Sequence, residues 1–297
     1  MTALDRLSGV VQRAVGAART RYAESGAVHI AYERRGARRG DRAWLVLVQG
    51  LGFDRSGWRP VVRGLGRHFR LILVDNRGTG RSDLPTDSLT VRDMARDVVS
   101  VLDDAGVATA HVVGASLGGM VAQELAIGHP TRVDRLVLAC TTPGWPYAYP
   151  MPAASVRLMA ATPHLPREVA LRRHVENALA AGTVANRPDL VRRLVAHERA
   201  RPSDPGAWST LAAAGARYAG QLRQSRIRAR TLILHGDADT VVDPRNATLL
   251  AERIPDATLV LLPGVGHLFF WEDPDRFVRE VTGFLLDGAR GGARPAA

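Results

Sequence analysis

Short apolar runs alternate with amphipathic stretches along most of the chain. Ala27–Arg35 puts Val28, Ile30 and Tyr32 on one side and reads as an early edge strand. Ala43–Val48 is apolar throughout and runs into Gln49-Gly50-Leu51-Gly52; such runs suit strands buried on both faces of a parallel sheet. Phe69–Val74, Ala110–Val113, Leu136–Cys140, Thr231–His235 and Thr258–Leu262 predict further strands. Between them, Val91–Leu102 carries Met94, Val98, Val101 and Leu102 on one helical face, with Gly106 just past its end. Gly119–Gly128 and Asp273–Leu286 also read as helices. Strands alternating with helices predict an α/β fold, a mostly parallel central sheet covered on both faces.

Two regions depart from this alternation. Between Cys140 and Thr231 there is no convincing buried strand. Helical patches lie instead around Ser155–Ala161, Val169–Ala180, Leu190–Ala200 and Ala207–Ala219. Residues 143–226 therefore read as a helical cap over the sheet's C-terminal edge, where open α/β sheets bind ligands. The core is then 25–142 with 227–287. At the start, Leu4, Leu7, Val11 and Val15 recur at helical spacing, so residues 1–24 are expected to form a helical extension. Its apolar stripe leaves a homodimer open. The small, polar tail, residues 288–297, is expected to be disordered.

Composition narrows the class. At 297 residues and 46% hydrophobic, the chain suits one α/β domain with an insertion. The net charge of +11 would ordinarily raise nucleic-acid binding. All 40 basic residues are Arg, however, and they are scattered rather than gathered on one face. No nucleic-acid partner is expected. Cys140 is the sole cysteine, which excludes an internal disulfide and fits a reducing compartment. No apolar run approaches a membrane span. Asp5, Arg6, Gln12, Arg13 and Arg19 interrupt any signal-peptide core. A cytoplasmic protein without a membrane partner is the expectation.

The chemistry concentrates at Gly114-Ala115-Ser116-Leu117-Gly118, between a strand and a helix. A strand-turn-helix with glycines at these positions forces the serine into a sharp turn that lifts its hydroxyl clear of the sheet. A Cβ at either glycine would crowd the neighbouring strand and helix. Serine needs a base to act as a nucleophile. Of the nine histidines, only His267 sits in a loop after the last strand, in Pro263-Gly264-Val265-Gly266-His267. His235 is the nearest rival, but it ends a core strand. The base needs a carboxylate to hold its tautomer. In Gly236-Asp237-Ala238-Asp239-Thr240-Val241-Val242-Asp243-Pro244, Asp243 suits the start of the next helix and Asp237 suits the turn. Asp239, midway along, is best placed to reach the histidine loop. No phosphate loop and no His/Cys spacing for a metal occurs. No cofactor is called for.

The order Ser116, Asp239, His267 resembles that of the α/β-hydrolase fold superfamily. The resemblance runs from about Ala27 to Leu286. It includes Asp75-Asn76-Arg77-Gly78-Thr79-Gly80-Arg81-Ser82, Gly236-Asp237-Ala238-Asp239, and Gly266-His267 followed by Glu272-Asp273-Pro274. Such a resemblance implies a capped serine esterase or lactonase, with the helical cap inserted after the sixth strand. It also implies an oxyanion hole made by the N–H of Leu117, directly after the serine, and that of Leu51. Gln49 stands where many members carry His. Arg77 and Asp75 are expected to hold a loop at the rim of the site.

The start of the cap, Pro143 to Pro152, is rich in proline and aromatics. Trp145, Tyr147 and Tyr149 are candidates for a pocket wall, with Met159 and Trp208 beside them. The alternative is a proline-rich hinge whose aromatics pack the cap on the core. The expected activity is hydrolysis of a small, apolar carboxylic ester or lactone. Carbon–carbon bond hydrolysis and cofactor-free perhydrolysis use a similar triad. A ligand receptor or cyclase-like tailoring protein on the same fold is the rival from another class.

Overall fold

The computed structural model describes residues 19–36, 42–85, 88–220 and 223–287. The expected helix carrying Leu4, Leu7, Val11 and Val15, and the tail 288–297, lie outside these residues.

Among the described residues, eight strands form one sheet in the order β1-β2-β4-β3-β5-β6-β7-β8. They are β1 (Thr20–Ser25), β2 (Val28–Arg35), β3 (Trp44–Val48), β4 (Arg70–Val74), β5 (Ala110–Ala115), β6 (Val133–Ala139), β7 (Arg230–Gly236) and β8 (Ala257–Leu262). β1 and β2 form an antiparallel hairpin, and β2 is antiparallel to β4. All remaining pairings are parallel. The mostly parallel sheet matches the sequence pattern. The strand at Thr20–Ser25 does not, since the sequence pattern places residues 20–24 in a helical extension. The segment lies at the sheet edge and is largely exposed, with only Ala23 buried, so it lacks the apolar run that marks an inner strand.

Eleven helices flank the sheet among the described residues: α1 (Arg59–Leu65), α2 (Val91–Asp104), α3 (Leu117–Gly128), α4 (Ala153–Ala161), α5 (Arg167–Asn177), α6 (Ala181–Asn186), α7 (Pro188–Arg199), α8 (Pro205–Ala216), α9 (Arg245–Arg253), α10 (Phe269–Glu272) and α11 (Pro274–Leu286). α2 begins on a capping box. The Thr90 hydroxyl accepts from Asp93 N, and the Asp93 carboxylate accepts from Thr90 N.

Alternation along the central strands divides the core between two faces. On β3, Val46 and Val48 face the α2 and α3 side, where Met94, Val98, Val121 and Leu125 pack. Leu45 and Leu47 face the other side, with Val61 and Leu65 of α1 and Phe277 and Val281 of α11. There Trp58 packs on Phe270 and Phe277, at ring separations of 5.0 and 6.0 Å. All three are fully buried; burying side chains of this size contributes roughly 2–3 kcal/mol each.

The segment between β6 and β7 contains α4 to α8. It docks on both faces of the core. Val175, Leu179, Leu190, Val191 and Leu194 join the α1/α11 side, and Leu211, Ala214 and Tyr218 join the α2/α3 side. Polar groups anchor it too: Thr240 Oγ1 donates to Asn177 O at 2.5 Å, and Leu268 N donates to Ala178 O at 3.0 Å.

Candidate active site

Parallel strands deliver their following loops to one edge of the sheet. That edge carries Gln49–Gly52 after β3, Ser116 after β5, Cys140 after β6, the aspartate loop after β7 and the histidine loop after β8.

Ser116 is half-buried at the junction of β5 and α3, with φ 54° and ψ −120°. This left-handed backbone is unusual for a residue with a Cβ and marks a strained turn. Ser116 N donates to Ala139 O at 2.9 Å, and Thr141 Oγ1 donates to Ser116 O at 2.7 Å. The flanking glycines are needed for space. A Cβ on Gly114 would fall 2.2 Å from Gly118 O, and one on Gly118 would fall 2.3 Å from Val48 O.

Leu117 opens α3, so its N–H has no intrahelical partner. The loop bearing Leu51 lies directly against the serine turn. A Cβ on Gly50 would come within 2.9 Å of Ser116 Cβ. Gln49 shapes this loop: its Oε1 accepts from Gly50 N at 3.0 Å, and its carbonyl accepts from Asn76 Nδ2 at 2.8 Å. Its Nε2 is buried without a hydrogen-bond partner among the described residues.

Asp239 and His267 meet at the same edge. His267 Nδ1 lies 2.7 Å from Asp239 Oδ2. The other carboxylate oxygen accepts from Val241 N at 2.8 Å and Val242 N at 3.0 Å. Burial opposes ionisation of Asp239, but the neighbouring His267 and the hydrogen bonds from both His235 and His267 outweigh it. The carboxyl is held well below its ordinary range. The histidine loop is clamped from behind by Glu272, which accepts from Gly266 N at 2.7 Å and from Ala180 N at 3.2 Å.

Asp237 and Asp243 are engaged elsewhere. Asp237 Oδ1 accepts from Gly264 N at 2.8 Å and closes the turn; Asp243 takes the Arg245 side chain at the start of α9. His235 reaches the same Asp239 oxygen, at 3.0 Å. Its contact with the acid went unread in the sequence. Spacing of four residues across a glycine turn gives no signal that two side chains meet. Cys140 packs between the Ser116 backbone and Asp239; burial first, then the Asp239 charge, pushes its thiol well above the usual value.

Asp75 and Arg77 anchor their loop through partners the sequence did not reveal. Asp75 is buried and accepts from Arg55 N at 2.7 Å and Arg81 N at 2.9 Å, and it pairs with the Arg55 guanidinium. Arg77 grips Asp97 of α2, its Nε donating at 2.7 Å.

The expected pocket residues separate. Trp208 of α8 is half-buried over the Leu51 loop, its Nε1 3.5 Å from where a Cβ on Gly52 would lie. Gly215 of the same helix lies over Leu117 in the same sense, at 3.2 Å from its Cδ1. Tyr147 and Tyr149 face outward instead. The Arg253 guanidinium lies 5.7 Å from the Tyr147 ring centre, and that of Arg245 4.1 Å from Tyr149. Both rings thus offer their faces to arginines of α9. Trp145 is 60% exposed and Met159 43% exposed, so neither is placed as an enclosed wall. A cavity of about 370 Å³, lined by Glu198, Arg201 and Ser203 among others, lies beyond Gly52, whose carbonyl accepts from Ser203 Oγ at 3.0 Å. Among the described residues no group of three or more His, Cys, Asp or Glu side chains is arranged to hold a metal ion. Nor, among them, is any helix long and apolar enough to cross a membrane.

The family model described as alpha/beta hydrolase fold matches residues 43–274. The chain belongs to this family. Over 89% of its length this α/β-hydrolase is 31% identical to RutD of Azorhizobium caulinodans, assigned as a carbamate hydrolase, and the match covers 97% of that protein. It is 30% identical, over 81% of its length and 93% of the relative's, to a pimeloyl-[acyl-carrier protein] methyl ester esterase of Nitrosospira multiformis. Among solved structures, the enol-lactonase of Burkholderia xenovorans LB400 superposes with a TM-score of 0.79 at 25% identity, covering 89% of this chain and 99% of that one. An enzyme of hydrolase type follows from the family and these relatives.

Proposed function

We propose that this α/β-hydrolase cleaves a small, apolar carboxylic ester or lactone through an acyl-enzyme. The buried 2.7 Å contact between Asp239 and His267, at the sheet edge that also carries the strained Ser116, supports this reading most strongly. Relatives named as a methyl ester esterase and an enol-lactonase share its substrate chemistry.

In the first half-reaction Ser116 Oγ attacks the carbonyl carbon and His267 Nε2 takes the hydroxyl proton. The carbonyl π electrons move to oxygen, which the N–H groups of Leu117 and Leu51 receive; each such donor lowers a barrier by about 3 kcal/mol. The tetrahedral species collapses, the C–O bond to the alcohol breaks, and His267 returns the proton to the leaving oxygen. Water, deprotonated by His267, then attacks the acyl-enzyme and releases the acid. For a lactone, the leaving alcohol stays tethered to the acyl group and departs with it. Asp239 holds the Nδ1–H tautomer of His267 and stabilises the imidazolium. The segment from α4 to α8 acts as the cap, and Trp208 is the member of the expected pocket set best positioned to meet substrate.

The test is turnover of short-chain p-nitrophenyl esters and simple lactones by the wild type and Ser116→Ala. Hydrolysis by the wild type alone supports the reading. Equal turnover by the mutant overturns the serine mechanism. Activity confined to vinylogous diketones would replace ester cleavage with carbon–carbon cleavage.

A further inference from the structure

His235 is a fully buried histidine with no part in the steps above. It is the next-to-last residue of β7 and precedes the turn that carries Asp239. Its Nε2 lies 3.0 Å from Asp239 Oδ2 and 3.1 Å from Val242 O. Both neighbours accept, so Nε2 carries the hydrogen. The other ring nitrogen, Nδ1, is buried with no hydrogen-bond partner among the described residues. An orphaned buried polar atom is costly. A leucine or phenylalanine would fill the space without it, so packing alone is a poor account of a histidine here.

The Asp239 carboxylate receives two backbone N–H groups on Oδ1, from Val241 and Val242. On Oδ2 it receives two ring nitrogens, from His267 and His235. Without His235, only His267 would hold Oδ2. Rotation of the carboxylate about its Cβ–Cγ bond would then be opposed at Oδ2 by His267 alone, beside the two N–H groups on Oδ1. We infer that His235 is a positioning residue: it locks the plane of the Asp239 carboxylate so that Oδ2 is presented to His267 Nδ1. The inference rests on the serine-hydrolase reading for its effect on turnover, while its geometric content is independent of substrate.

The surroundings leave few other groups to play this part. Cys140 and Asp243 also face this cluster electrostatically. Asp243 is already bonded to Arg245, and the Cys140 thiol is held protonated by burial. Among the described residues, only the His235 ring supplies a second donor to Oδ2.

The experiment compares His235→Leu, His235→Gln and His235→Asn. A glutamine amide reaches the Nε2 position of a histidine, and an asparagine amide reaches only the Nδ1 position. Ester hydrolysis is followed across pH, and the downfield proton NMR resonance of His267 Nδ1–H is recorded for each protein. Loss of one hydrogen bond to a charged group should lower kcat about 10- to 100-fold in His235→Leu, with KM little changed. His235→Gln should recover most of the rate and His235→Asn should not. The acidic limb of the kcat profile should move to lower pH in His235→Leu, because a turned Asp239 carboxylate stabilises the imidazolium less, and its downfield resonance should weaken. Wild-type kcat, pH profile and resonance in His235→Leu would overturn the inference. If that variant does not fold, equal losses in the Gln and Asn variants would overturn it instead. A wild type that hydrolyses no ester would sink the functional reading, and the NMR comparison would still decide the role of His235.

Discussion

Oδ2 of Asp239 lies 2.7 Å from Nδ1 of His267, with both side chains buried and the carboxylate saturated by N–H donors. The contact dictates which ring nitrogen of His267 bears hydrogen, and so leaves Nε2 free to accept a proton. Asp239→Asn replaces an obligate acceptor with a group that can donate, and stabilises the wrong tautomer. Ester turnover should fall by about 10,000-fold in kcat. Circular dichroism should show the fold retained, since the side-chain volume is unchanged.

Ser116 holds φ 54°, a conformation that glycine adopts without cost. Ser116→Gly should therefore abolish hydrolysis and yet stabilise the fold by about 1 kcal/mol, seen as a Tm rise of roughly 2–4 °C in calorimetry. A lower Tm would show that the turn is not strained.

Gly114→Ala should do the opposite. Its Cβ, fixed rigidly to β5, would meet the backbone carbonyl oxygen of Gly118 in α3 at 2.2 Å. No flexible side chain is available to give way. The expected loss is about 3 kcal/mol, measured by urea denaturation, with activity impaired even in the folded fraction.

Glu198 provides a pH signature. Burial, and then the charge of Asp54, raise its carboxyl from 4.5 to about 8, against the attraction of Arg201. The folded state therefore holds a proton that the unfolded state releases between these values. Stability is retained below the unfolded value and is lost as pH rises through about 8. Glu198→Gln removes this dependence. Its Tm should exceed the wild-type Tm above pH 8 and match it below pH 4.5, in paired melts at the two extremes.

Asp75 is buried, and burial raises its carboxyl pKa against the pull of Arg55. Arg55→Ala would leave this carboxylate with backbone donors only. Breaking a buried pair from one side costs about 3 kcal/mol or more. The loss should appear in denaturant melts and should be smaller in the double variant Arg55→Ala/Asp75→Asn.

Much of the architecture was legible because apolar runs and glycine turns are local properties. Val46 and Leu47 announce a strand buried on both faces, and the sheet places them in opposite halves of the core. Gly114 and Gly118 announce a turn without room for a Cβ, and the close approaches are where that reading requires them. The edge strand Thr20–Ser25 was not legible, since its pairing with β2 leaves most of its side chains in water. The places of Tyr147 and Tyr149 were not legible, because aromatic residues near prolines suit a pocket wall and a hinge that packs the cap on the core equally. Their rings lie against Arg253 and Arg245, about a hundred residues downstream.

By itself the chain determines the α/β alternation, the serine turn and the loops that carry Asp239 and His267, since each depends on backbone preferences over a few neighbours. Tertiary structure alone decides that Asp239 meets both His267 and His235 on one oxygen, that Arg55 answers Asp75, and that Trp208 lies over the Leu51 loop. These contacts join segments whose meeting is set by strand order and helix docking, and no local pattern records that geometry.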